Sequence, residues 1–105
     1  CGLSQIIALA YGTVPIVNKT GGLADTISDF VKSPKGNGFV FDLSAGESFT
    51  EKINEAYGVF CDKNLWRKAV SNAFSSGYSW EKSVKDYENM YNAALEKRIA
   101  YTIYK

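Results

Sequence analysis

The stretch Leu3-Ser-Gln-Ile-Ile-Ala-Leu-Ala-Tyr11, followed by Gly12-Thr-Val-Pro-Ile-Val17 and by Thr20-Gly-Gly22, decides the fold. Leu3, Ile7, Ala10 and Tyr11 recur at helical spacing, and Gly12 stands where a C-terminal cap belongs, so the pattern predicts a first helix. Val14, Ile16 and Val17 then form a short β-branched run around Pro15, which reads as a buried strand feeding a loop at Thr20-Gly-Gly. Pro15 suits only an edge or the start of that strand, because proline donates nothing to a sheet ladder. A helix followed at once by such a strand implies a parallel α/β sheet.

Working outward, Leu23 to Val31 supports two readings: Leu23, Ile27, Phe30 and Val31 are helically spaced, yet Thr26 to Val31 also reads as strand. Ser33-Pro-Lys-Gly-Asn-Gly38 is a loop, and Phe39-Val-Phe41 beyond it a second, very short strand. Ser44-Ala-Gly-Glu47 has the spacing of a capping box and predicts the start of a helix whose apolar stripe is Phe49, Ile53, Ala56, Tyr57 and Phe60. Leu65, Trp66, Ala69, Val70, Ala73 and Phe74 mark a third helix ended by Gly77. Ser79 opens a fourth, with Trp80, Val84, Tyr87, Tyr91, Ala94 and Leu95 on one face. Glu96 to Lys105 reads as a continuation of that helix or as a docked extension. This order fits the closing part of a doubly wound sheet with helical cover better than an all-α bundle. Two strands leave open edges, so further strands are expected upstream.

With 105 residues the chain holds one domain at most. Hydrophobic residues make up 46% and charged residues 22%, the balance of a globular segment rather than a disordered one. The formal net charge is +1 and the lysines are scattered, which argues against a nucleic-acid partner or an anionic membrane surface. Two cysteines, Cys1 and Cys61, and no histidine argue against a disulfide scaffold and against a transition-metal site. No apolar run approaches the roughly 18 to 20 residues that span a bilayer. Cys1 opens directly in a helix-like pattern without an initiator Met, so the natural start is expected upstream and any targeting segment is not readable.

Three groups of residues offer chemistry. The helix start at Cys1-Gly2-Leu3-Ser4 presents backbone N–H groups that lack intrahelical partners, at the positive end of a helix dipole, with a small Gly2 that lets a ligand approach; on the residues alone it is also simply the start of a helix. Thr20-Gly21-Gly22 follows a strand, where parallel α/β folds bind ligands, and is also simply a turn that needs positive φ. Asp25, Asp29 and Asp42 are carboxylates that could move protons, with loop and cap roles equally open to them. Cys1 lacks any histidine as a base, so a cysteine nucleophile is rejected. The tryptophans Trp66 and Trp80 and the seven tyrosines fall at helical spacing and read mostly as core or interface packing.

The runs Cys1-Gly-Leu-Ser-Gln5, Ala8-Leu-Ala-Tyr-Gly-Thr-Val-Pro-Ile-Val17 and Thr20-Gly-Gly-Leu-Ala-Asp-Thr-Ile27 resemble the signature of bacterial glycogen synthases and plant starch synthases. Gly38-Phe-Val-Phe41, Trp66-Arg67 and Tyr78-Ser-Trp-Glu81 resemble the family's closing segments, so the resemblance covers residues 1–95 and leaves 96–105 as a tail. It implies the closing part of a Rossmann-like C-terminal domain in a two-domain GT-B glycosyltransferase. It also implies transfer of glucose from ADP-glucose to the non-reducing end of an α-1,4-glucan, with retention and without a metal or other cofactor. By the same resemblance the main chain at Cys1, Gly2, Leu3 and Ser4 faces the donor's glucose and diphosphate, many relatives having threonine at the position of Ser4. The family's glutamate that contacts the donor sugar would lie upstream of Cys1, so no catalytic residue is expected within the chain. The basic residues for the diphosphate and the N-terminal acceptor-binding domain would lie upstream too. Asn18 stands where many bacterial relatives have arginine and is given no role. Thr20-Gly-Gly-Leu23 resembles a second copy of the family's Lys-x-Gly-Gly-Leu motif, with loop geometry as its preferred reading. The implied compartment is the cytoplasm for a bacterial protein and the plastid for a plant one. Two alternatives are a GT-B enzyme using another nucleotide sugar and a noncatalytic glucan-binding or assembly module.

Overall fold

The computed structural model describes residues 2–103. Helix α1 (Ser4–Ala10) leads through Gly12 to strand β1 (Ile16–Asn18), short helix α2 (Gly21–Thr26) and strand β2 (Phe39–Phe41). A 3-10 turn (Leu43–Ala45) precedes helices α3 (Phe49–Cys61), α4 (Lys63–Phe74) and α5 (Trp80–Ile103). Gly12 has φ 71°, so the glycine after α1 supplies the left-handed turn that sends the chain back toward β1.

β1 and β2 pair in parallel, with Ile16 beside Phe39, Val17 beside Val40 and Asn18 beside Phe41. Pro15 sits just ahead of β1 and uses only its carbonyl, which accepts from the Phe39 N–H at 2.8 Å; the missing proline donor therefore costs the ladder nothing. The ambiguous stretch divides between its two readings. Its first half is α2, and beyond Ile27 an isolated parallel bridge joins Asp29 to Gly38, with the Phe30 N–H donating to the Gly38 carbonyl at 2.8 Å.

Apolar residues gather in two clusters on the sheet. Leu9 of α1, Val17, Ile27 and Val40 form one, and Phe30, Phe39, Ala56 and Val59 form the other, against α3. Helix α4 closes both, through Ala73 on the first and Ala69 on the second. Ala69 and Ala73 lie four residues apart on one face and are 0% and 1% exposed, so the small side chains let the α4 backbone lie close to α3 and α1.

Several expected faces are corrected. The α1 line Leu3, Ile7 and Tyr11 points to solvent, while Gln5 and Leu9 are the buried residues, because the cluster of Val17, Ile27, Val40 and Ala73 lies under Leu9. On α3 the buried line is Lys52, Ala56 and Val59, and the stripe Phe49, Ile53, Tyr57 and Phe60 is left at the rim. There Phe60 meets Trp66 edge-on at 5.0 Å. The helix start at Ser44 is corrected as well. The Asp42 carboxylate accepts from the Ser44 and Ala45 N–H groups and caps the 3-10 turn, while the Glu47 carboxylate accepts from the Asp42 N–H at 2.8 Å. The cap of α3 is Ser48, which accepts from the Glu51 N–H and repeats the same capping-box spacing four residues on.

No residue of α5 is buried, so Trp80 and Tyr87, Tyr91 and Tyr101 are surface residues here instead of core. The tail from Glu96 to Ile103 continues α5, one of the two alternatives for it. No described helix is long and apolar enough to cross a membrane.

Candidate functional site

The start of α1 shares a cleft with the last residues of both strands, Ser4 and Gln5 lining it together with Asn18 and Phe41, and the carboxyl ends of strands are where open parallel sheets bind ligands. A cleft of about 400 Å³ opens there, lined by Ser4, Gln5, Asn18, Leu23, Phe41 and Phe49 among others. Leu3 occupies the N-cap of α1, and no side chain caps the first-turn amides. Gly2, Leu3 and Ser4 are all exposed, so these amides meet solvent on a bare turn without an acidic neighbour in the first turn of α1. Such a turn suits an anion, though α1 is only seven residues long and its dipole is correspondingly small. Cys1 lies outside the described residues.

Thr20-Gly21-Gly22 leaves the carboxyl end of β1 as the start of α2 rather than as a free loop. Gly21 has φ 43°, the left-handed backbone that its expected turn role requires. The two segments are joined by side chains. The Gln5 Nε2 donates to Thr26 Oγ1 at 3.4 Å, and Thr26 Oγ1 donates to the Gly22 carbonyl at 2.6 Å. The Thr26 carbonyl accepts from the Tyr78 hydroxyl at 2.6 Å and from Asn37 Nδ2 at 3.1 Å. Burial raises the Tyr78 pKa above its ordinary value.

Of the three carboxylates, none faces this cleft as a free acid or base. Asp29 is buried, accepting from the N–H groups of Val31, Lys32 and Val40 and from Lys52 Nζ. Asp42 is a cap, its pKa lowered first by the Ser44 hydroxyl, and it pairs with Lys19 at 3.7 Å. Asp25 is exposed on α2. Asn18 ties β1 to the 3-10 turn, its Oδ1 accepting from the Leu43 N–H at 3.2 Å. Among the described residues no cluster of three or more His, Cys, Asp or Glu could hold a metal ion. Sequence reasoning missed Gln5 and Thr26. The signal for Gln5 was a polar residue four positions before Leu9, on one helical line with it.

No family model matches the chain. It is 45% identical over 96 residues, 90% of its length, to a glycogen synthase of Clostridium kluyveri. It is 44% identical over 99 residues, 93% of its length, to a glycogen synthase of Geotalea daltonii. The chain spans about 20% of the length of each. Among solved structures, the catalytic domain of starch synthase IV from Arabidopsis thaliana, bound to ADP and acarbose, superposes with a TM-score of 0.76 at 33% identity. That match covers 91% of this chain and 20% of the other. Fold and relatives together define the closing part of a Rossmann-like domain of a GT-B glycosyltransferase. Within that class, the chain is similar over nine tenths of its length to the glycogen and starch synthases, as the resemblance of its Cys1-to-Ile27 signature implies.

Proposed function

We propose that this chain contributes part of the donor site to a glucan synthase that moves glucose from ADP-glucose to the non-reducing end of an α-1,4-glucan with retention. The observation that carries this reading is the uncapped, solvent-facing turn at Gly2-Leu3-Ser4, set at the carboxyl end of a parallel sheet in a segment 45% identical to a glycogen synthase. The leaving ADP gathers negative charge on its diphosphate as the bond to the anomeric carbon breaks. Main-chain N–H groups already aimed at that charge stabilise the transition state without reorganising. By the resemblance, the main chain of Cys1 also belongs to the donor contact. The rest of the protein supplies the acceptor site, the catalytic-site glutamate and the basic residues for the diphosphate. The chain alone is therefore inactive, because transfer requires donor and acceptor held together in a closed cleft. No metal or other cofactor enters this reading, and the compartment follows the source: cytoplasm for a bacterial protein, plastid for a plant one.

Calorimetric titration of ADP and then ADP-glucose, into this chain and into a version extended upstream to the length of its relatives, tests the proposal. The extended protein is expected to bind ADP, and Gly2→Val to abolish that binding. A side chain at Gly2 would start 3.4 Å from Gln5 Oε1 and 3.9 Å from Ser4 Oγ, over the turn itself. Absence of ADP binding by a folded extended protein would overturn the donor-site assignment.

A further inference from the structure

The two edges of the β1–β2 sheet differ in what their main chain meets. In a parallel strand, alternate residues turn their N–H and C=O groups to opposite neighbours. On β1 the Pro15 carbonyl accepts from the Phe39 N–H, and the Lys19 N–H just beyond it donates to the Phe41 carbonyl, both at 2.8 Å. Ile16 and Asn18 therefore face away from β2, and among the described residues no main-chain group of either has a hydrogen-bond partner. The outward row of β2 is occupied instead. The Gly38 carbonyl accepts from the Phe30 N–H at 2.8 Å, the Val40 N–H donates to Asp29 Oδ2 at 3.0 Å, and the Asp42 N–H donates to Glu47 Oε2 at 2.8 Å. Two carboxylates thus stand where the carbonyls of a further strand would have to go, which closes that edge and leaves β1 as the open one.

Room exists beside the open row. The cleft of about 400 Å³ runs past Pro15, Ile16, Val17 and Asn18 in succession, with Ala8 of α1 and Phe49 of α3 among its walls. A second groove, of about 220 Å³, is lined by Val14, Ile16, Ile53, Tyr57, Phe60 and Trp66 among others and has no charged side chain in its wall. Such a lining suits apolar side chains rather than a charged ligand. We infer that the free edge of β1 seats a strand from the part of this protein that precedes Cys1. Its main chain bonds Ile16 and Asn18, and its apolar side chains enter the groove beside α3. Length for it exists outside the chain, which spans about 20% of the relatives it matches. Its direction follows from α1, whose start shares a cleft with Asn18, the last residue of β1. A strand that feeds α1 through a short loop has to end at that same end, so it runs parallel to β1 with α1 as the crossover. The inference takes the chain to be a segment of a longer protein and does not depend on ADP binding.

The test is amide hydrogen exchange, read residue by residue in the whole protein that carries this segment, at two protein concentrations tenfold apart. Ile16 and Asn18 are expected to exchange at least about a hundredfold more slowly than open-chain amides, and alike at both concentrations. Free exchange at either amide overturns the inference, because a strand bonds both. Protection that disappears on dilution assigns the edge to a second copy of the protein and overturns it as well. A proline scan through roughly the twelve residues upstream of Cys1, the length of one strand and its loop, identifies the occupant. Proline cannot donate to a ladder, so at least one position should release Ile16 or Asn18 while Val40, held by Asp29, stays slow. A scan of folded variants that releases neither amide gives the edge to another segment and overturns the inference. Should the proline variants not fold, the wild-type protein at its two concentrations decides alone.

Discussion

Lys52 Nζ lies 3.1 Å from Asp29 Oδ2, and the two side chains are 9% and 6% exposed, so a charge on α3 is pinned against the residue that bridges to Gly38, just ahead of β2. The ammonium also bonds the Glu55 carboxylate. Asp29 spends its remaining capacity on the N–H groups of Val31 at 2.9 Å, Lys32 at 3.3 Å and Val40 at 3.0 Å. Each charge is compensated, which is the condition under which a buried pair persists. Lys52→Met is expected to cost about 3 kcal/mol, the low end for breaking a buried pair, because three backbone donors still serve Asp29. Urea denaturation measures it, and a loss under about 0.5 kcal/mol would show the pair to be energetically idle.

The same pair sets a pH dependence. Burial pushes the Asp29 carboxyl up, but the Val40 N–H, the Lys52 ammonium and the Val31 N–H outweigh it, and the pKa falls below the ordinary 3.8. A depressed carboxylate stabilises the fold above 3.8 and loses that contribution as pH falls through its folded value. For Lys52, burial pushes the pKa down, but Glu55 and Asp29 outweigh it and raise it above 10.5. That contribution is complete below 10.5 and disappears as pH rises through the folded value. Stability from the pair should therefore be level between 3.8 and 10.5 and decline on both sides. Urea midpoints followed into acid should fall less steeply in Asp29→Asn than in wild type; equal slopes would assign the acid limb to other carboxylates.

Two glycines should respond to alanine in opposite directions. A Cβ on Gly36 would stand 2.4 Å from the Asp29 carbonyl oxygen and 2.4 Å from Phe30 Cα, both backbone atoms that cannot swing aside. Gly36→Ala is expected to destabilise by about 3 kcal/mol, the upper range for overpacking. Gly58 lies exposed in the interior of α3 with nothing within 4 Å of its would-be Cβ. Gly58→Ala should stabilise by about 0.5 to 1 kcal/mol through helix propensity. Thermal melts of the two variants check the signs, and a destabilised Gly58→Ala would contradict the helix placed there.

How much of this was legible depended on whether the signal was local. Gly12, Phe39-Val-Phe41 and the Gly77 stop need only neighbouring residues, and each was readable. Ser44…Glu47 and Ser48…Glu51 have identical spacing, and what separates them is Asp42, whose carboxylate takes the Ser44 N–H first. Periodicity marked α1 and α3 as helices but not which line would be buried. That choice was made by partners distant in sequence, Ala73 for Leu9 and Asp29 for Lys52. The proposed donor turn Gly2-Leu3-Ser4 is singled out in the sequence only by resemblance, whereas the contact of Gln5 with Thr26 has no local signal at all, because it is a bond across 21 positions.

The long helix allows a last prediction. α5 carries Trp80, Val84, Tyr87, Tyr91 and Leu95 at helical spacing, yet none of its residues is buried, and Trp80 is 78% exposed. Its internal contacts, such as the stacking of Tyr87 on Tyr91 at 6.4 Å, hold helix to helix turn and add nothing to the sheet's core. Removing residues 80–105 while keeping Tyr78 and its bond to Thr26 should therefore change the unfolding free energy by no more than about 0.5 kcal/mol, the scale of a surface change. The isolated chain also exposes Tyr57 and Phe60 beside Trp66, and so much apolar surface should drive self-association. Light scattering of the intact and shortened chains separates the two sources. If α5 is the sticky element, shortening yields a monomer; if the α3 rim is, association persists and only a polar substitution at Phe60 relieves it. A monomeric intact chain would refute the expectation for both.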